Sequence, residues 1–255
     1  MARAMTAGRR AVLAANLMAV RDRIAAAARA AGRAPEEITL VAVSKTFPAQ
    51  DVAALLDLGV SDFGENRDQE AAVKVAEVAA LRATAGPVPR WHFVGQVQRK
   101  KAGSVASYAD VVHAVDRPGL ADALGRGAAH GERELEVLLQ VSLDDDDASA
   151  GRAGVAPDRV VELAEHVLGV PRLRLAGVMG LAPREGDAAV AFARLAHVAA
   201  QVRSLSVTAV VVSAGMSGDL EVAVAHGSTL VRVGTALFGD RAIKSEHGLD
   251  GPPGD

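Results

Sequence analysis

The 255-residue sequence has no cysteine, which excludes disulfides, thiolate metal sites and cysteine nucleophiles together and fits a reducing compartment. Aromatic residues are only 3% of it while half is hydrophobic, so a core must be built from Ala, Val and Leu. Neither sign of charge dominates, and a formal net charge of −3 gives no electrostatic footprint for DNA or RNA. No run approaches the roughly 20 uninterrupted apolar residues of a membrane span. The apolar piece AVLAANLMAV lies between Arg9-Arg10 and Arg21-Asp22-Arg23. No small-residue cleavage site follows it and helical spacing continues to Arg33, so it reads as an amphipathic first helix over about 7–33, not a signal peptide. A cytoplasmic location is expected.

What is present is alternation. Apolar β-type runs at 38–46, 62–66, 91–95, 111–116, 136–143, 174–182, 208–215 and 229–239 are separated by Ala-rich stretches that can each hold a helix. The stretch 49–59 stops on Gly59, the one at 157–169 opens with Pro157, and the one from Ser217 has a hydroxyl residue where an N-cap belongs. Strict alternation implies a parallel sheet, and the runs lack period-two patterning because both faces are covered. Eight units in about 200 residues favour a closed (β/α)8 TIM barrel over an open doubly wound sheet. A single barrel domain is expected over 1–241, with the Gly/Pro-rich segment 242–255 as a disordered tail.

A lysine, Lys45, ends the apolar run Leu40-Val41-Ala42-Val43. Either it sits just past a strand and reaches into water, or it is kept reactive in a low-polarity setting that favours the neutral amine. In a barrel, active sites form at the C-terminal ends of the strands, and phosphates are often held after strands 7 and 8. The run Ser213-Ala214-Gly215-Met216-Ser217-Gly218-Asp219 is a small-residue turn that lets backbone approach an anion, and Val231-Arg232-Val233-Gly234-Thr235 follows on strand 8. Ordinary strand–turn–helix junctions would look the same. Barrel closure makes strand 8 a neighbour of strand 1, which places such an anchor near Lys45. A phosphate anchor beside a lysine is what pyridoxal 5'-phosphate needs, the lysine closing a Schiff base on its aldehyde.

The motifs AVSKT, FGENRDQE, WHFVGQVQ, GVMGLAP, SAGMSGD and VRVGTALFG, in this order and spacing over about 38–241, resemble the pyridoxal phosphate homeostasis protein family. That family resembles the barrel domain of alanine racemase without its second domain. The resemblance implies that Lys45 is the Schiff-base lysine, that Ser217 hydrogen-bonds the phosphate and that Gly234 and Thr235 give it backbone donors. It implies that Arg232 faces the pyridine nitrogen, with Ser213, Gly215 and Met216 completing the cofactor turn and Asn66 beside the cofactor. The sequence departs from the family pattern in three places. SMGMS is Ser213-Ala214-Gly215-Met216-Ser217, WHFxGxxQxNK has Lys100 for asparagine, and GENYxQE has Arg67 for tyrosine.

The expected role is to hold and hand over the cofactor with little or no turnover, as a monomer whose recipients are pyridoxal phosphate-dependent apoenzymes. The main alternative is an amino-acid racemase, which needs a second proton donor on the other cofactor face. The chain ends soon after strand 8, and its one tyrosine, Tyr108, falls in the helix before strand 4. His92 and His113 are candidates but read as satisfied core residues. A phosphosugar-processing barrel would use the same phosphate loops, with Lys45 as base or Schiff-base former. GRGAAHG (125–131) follows a helix and so is a poor dinucleotide fingerprint, Asp144-Asp145-Asp146-Asp147 reads as a solvated loop, and no histidine pair has zinc spacing, so no metal is expected.

Overall fold

A computed structural model describes residues 6–82, 86–144 and 153–239 of the chain. The expected 242–255 tail and Asp145–Asp147 of the acidic run lie outside the described residues. Eight parallel strands close into a barrel in sequence order: β1 (Thr39–Val43), β2 (Asp62–Glu65), β3 (Arg90–Phe93), β4 (Val111–Val115), β5 (Leu135–Gln140), β6 (Leu173–Met179), β7 (Val211–Ser213) and β8 (Leu230–Val233). Closure runs through β1 and β8, paired from Thr39↔Leu230 to Ala42↔Val233.

The helices between them are α2 (Ala49–Asp57), α3 (Asp68–Leu81), α4 (Ala102–Tyr108), α5 (Pro118–His130), α6 (Val160–Leu168), α7 (Ala188–Leu205) and α8 (Leu220–Ala225), with α1 (Ala7–Ala30) ahead and α9 (Thr235–Phe238) behind. Gly59, at φ +81°, ends the α2 segment as expected. The α1 helix starts where the Thr6 side chain accepts the Arg9 N–H, and buries Leu13, Leu17, Val20, Ile24 and Ala27 as one stripe at helical spacing. That stripe packs with Ala42, Val52, Leu55, Phe63, Val231 and Phe238 on the side of the barrel where the sheet closes. A second apolar shell lies under α4 to α7, and a small separate cluster is drawn from the strands: Val111, Ala114, Leu138, Ala176 and Met179.

Two boundaries differ from the sequence reading. The run 229–239 is not one strand, since β8 stops at Val233 and the chain turns at Gly234 (φ −111°, ψ −84°) into the helical α9. The helix after β7 begins at Leu220 with Asp219 at its N-cap position, so Ser217 is left free of a capping duty. Among the described residues no helix is long and apolar enough to cross a membrane, and no group of three His, Asp or Glu could hold a metal ion.

Candidate functional site

Lys45 leaves the barrel on a tight turn. After β1 the Phe47 N–H returns to the Ser44 carbonyl at 3.0 Å, and Thr46 takes φ +69°, an unusual conformation for a β-branched residue. A buried ion cluster beneath holds it. Lys74 on α3 reaches the Ser44 carbonyl at 2.7 Å and Glu65 Oε1 at 2.5 Å, the Ser44 hydroxyl donates to the same oxygen at 2.6 Å, and Glu70 accepts the Thr46 N–H. Burial pushes the Glu65 carboxyl above its ordinary pKa, and the charge and hydrogen bonds of Lys74 and Ser44 offset this only in part. Lys45 itself is exposed, the first of the two alternatives and not the low-polarity setting: the apolar run stops at Val43 and the side chain stands past it.

Opposite Lys45, the chain after β7 bends at Gly215, whose φ of +91° favours glycine. A Cβ there would meet the Ala223 Cβ at 2.7 Å. Asp219 folds back to accept the Met216 N–H at 2.6 Å, and Arg23 on α1 holds the Ser217 carbonyl at 3.0 Å. The Ser217 hydroxyl and the backbone N–H groups of Ser217, Gly218, Gly234 and Thr235 donate to no other protein atom among the described residues. Uncommitted donors from two loops in one concavity make an anion cradle.

The two sides face each other across a cleft of about 550 Å³ at the C-terminal ends of the strands, within the size range of small-ligand sites. Of the residues expected from sequence, Lys45, Asn66, Met216, Ser217, Arg232, Gly234 and Thr235 line it. Ser213 and Gly215 do not; both are buried beneath it. Asn66 is kept at the wall by Gly95, where a Cβ would lie 2.3 Å from the Asn66 carbonyl oxygen.

Arg232 is nearly buried yet reaches the cleft, and its Nη1 and Nη2 hold the carbonyls of Ser213 (2.8 Å) and Gly180 (3.0 Å). Nε makes no bond to the protein among the described residues. Burial lowers its pKa to about 10, partly offset by Asp219, so the guanidinium stays protonated at neutral pH. Behind it runs a chain that sequence reading missed. Arg232 Nη1 also donates to Ser213 Oγ, His113 Nδ1 lies 3.0 Å from Ser213 Oγ, His113 Nε2 lies 2.9 Å from His92 Nδ1, and His92 Nε2 lies 2.9 Å from Asp62 Oδ1. With one proton on each ring, every hydrogen bond points toward Asp62: Ser213 donates to His113, His113 to His92, His92 to the carboxylate. Burial opposes the charge on Asp62, but donation from His92 and Ser61 outweighs it and holds its pKa below the ordinary aspartate value. The histidines are thus satisfied core residues, as the sequence reading expected; their joint link to Arg232 had no local signal.

An amine, a cradle of free N–H groups and a fixed guanidinium around one small-ligand cleft fit a phosphate monoester that carries a reactive carbonyl. Tyr108 takes no part, since its hydroxyl lies 3.4 Å from Asp68 and away from the cleft lining.

The family described as alanine racemase, N-terminal domain, matches residues 15–242. The chain is 47% identical over 241 residues to a pyridoxal phosphate homeostasis protein of Mycobacterium bovis, covering 90% of this chain and 93% of that one. It is 40% identical over 236 residues to the protein so named in Escherichia coli K12, covering 89% and 95%. Among solved structures, PipY of Synechococcus elongatus with pyridoxal phosphate bound matches at a TM-score of 0.75 and 32% identity, covering 89% of this chain and all of that one.

Proposed function

From the premise that this chain belongs to the pyridoxal phosphate homeostasis protein family, we propose that it binds pyridoxal 5'-phosphate on Lys45 and holds it for delivery to dependent apoenzymes in the cytoplasm, as a monomer with little turnover of its own. The observation that carries this reading is the meeting, in one cleft, of Lys45 with the free donors of Ser217, Gly218, Gly234 and Thr235. When bound, the cofactor supplies an aldehyde that condenses reversibly with a primary amine, one water leaving, and a phosphate dianion.

The chain's residues divide the remaining work. The turn at Ser44–Phe47 presents the Lys45 amine, and the two loops take the phosphate through backbone donors and the Ser217 hydroxyl. Arg232, anchored on Ser213 and Gly180, would have its Nε available for the ring nitrogen. A protonated guanidinium there donates a hydrogen bond without surrendering its proton, which leaves the ring a weak electron sink. Among the described residues lining the cleft, Lys45 and Arg232 are the only titratable side chains, which supports holding over two-base proton transfer. The purified protein mixed with pyridoxal phosphate is expected to show a visible band that borohydride erases with covalent retention. Lys45→Ala should remain folded and lose that site-specific adduct. A reducible adduct of equal yield in Lys45→Ala would assign the carrier to another lysine.

A further inference from the structure

The two charged departures from the family pattern meet in space. A second concavity of about 530 Å³ adjoins the cleft, shares Asn66 with it, and is lined by Arg67, Gln69, Gln96, Gln98 and Lys100. None of these side chains has a hydrogen bond or ion pair within the described protein. The carboxylates at its rim are already committed: Asp68 to Lys101 at 3.3 Å and to Ser104 at 2.7 Å, and Glu70 to Lys74 at 3.2 Å and the Thr46 N–H. What remains uncommitted is two cations and a ring of amides, all suited to an oxyanion.

We propose that this concavity is an anion antechamber, in which Arg67 and Lys100 capture the phosphate of incoming pyridoxal phosphate before it passes Asn66 to Lys45. The inference rests on the cofactor reading above. A dianion approaching a chain of net charge −3 is repelled at long range, and a local pair of free cations beside the cleft mouth reverses that field where it matters. Both cations are exposed, Arg67 at the N-cap of α3 and Lys100 in the short 3-10 helix Arg99–Lys101, so they act on encounter and not on the docked cofactor, whose phosphate is taken by the separate cradle at 217–218 and 234–235.

The test is rapid-mixing absorbance of the apoprotein with pyridoxal phosphate, and with pyridoxal, which lacks the phosphate. The parent is compared with the double variant Arg67→Tyr/Lys100→Asn, which carries the residues of the family pattern at both positions. At low ionic strength the variant should take up pyridoxal phosphate about threefold to tenfold more slowly, at or just below the low end of electrostatic steering effects, since only two charges are removed. Its salt dependence should be shallower, its dissociation rate and final spectrum should match the parent, and uptake of pyridoxal should not change. Equal uptake rates and salt slopes in the two proteins would overturn the antechamber, as would a loss residing wholly in the dissociation rate. A parent that forms no adduct would instead overturn the cofactor reading.

Discussion

Ser217 brings a free hydroxyl and a free backbone N–H to the cleft, and its carbonyl is held by Arg23. On the proposed reading its side chain would contribute one removable hydrogen bond to a bound phosphate while the loop keeps its shape. Ser217→Ala should cost about 1–2 kcal/mol of binding, where the ranges for neutral hydrogen bonds and for those to charged groups meet. Equilibrium dialysis with pyridoxal phosphate reads this as a dissociation constant raised about fivefold to thirtyfold; an unchanged constant would remove Ser217 from the cradle. The placement of Lys45 and Ser217 at the cleft was legible in sequence because each sits in a short local motif at a strand end. Ser213 was legible as a residue of interest but not in its place. It lies under Arg232 and joins His113, 100 positions away, a contact that exists only once the barrel has closed.

At the scale of elements, α1 braces both loops that carry the free donors of the cleft. Arg23 holds the Ser217 carbonyl and pairs with Glu221 at 2.9 Å, while Asn16 donates to the Leu237 carbonyl at 3.0 Å behind α9. The pairing with Glu221 is exposed and contributes little to stability, about 0–1 kcal/mol. Its consequence lies in where the loop sits. Arg23→Ala should weaken cofactor retention several-fold with little loss of melting temperature, and a matched pair of dialysis and thermal scans checks this. Equal retention would show that Gly215 and Asp219 fix the turn without help. The helix was readable from its spacing, but its bracing role was not, because Arg23 in sequence is one of three consecutive charges, Arg21-Asp22-Arg23, with nothing to mark which neighbour it meets. The strand reading of TALF failed for a related reason. Thr, Leu and Phe suit a strand as well as a helical turn, and the choice is made by the backbone break at Gly234.

For the molecule as a whole, alternation of apolar runs and helical gaps was enough to favour an eight-stranded barrel over an open doubly wound sheet, and the strands do close in sequence order. What pattern could not convey is that this barrel's interior carries a polar column from Asp62 to Arg232. The column ties global stability to pH. Burial holds the His113 pKa well below 6.5, with the charge of Arg232 acting in the same direction. Above the unfolded value of about 6.5 neither state binds this proton, so the neutral ring costs nothing. Below it the unfolded chain takes up a proton that the folded core refuses, and stability falls with falling pH until the folded pKa is reached. The melting temperature should therefore decline between about pH 6.5 and 5, before most carboxylates titrate. His113→Gln lowers stability at every pH by breaking the column, so the informative quantity is the slope: it should be shallower in the variant than in the parent. Parallel slopes would mean that His113 accepts its proton inside the barrel, and that the column can reverse its direction without unfolding the protein.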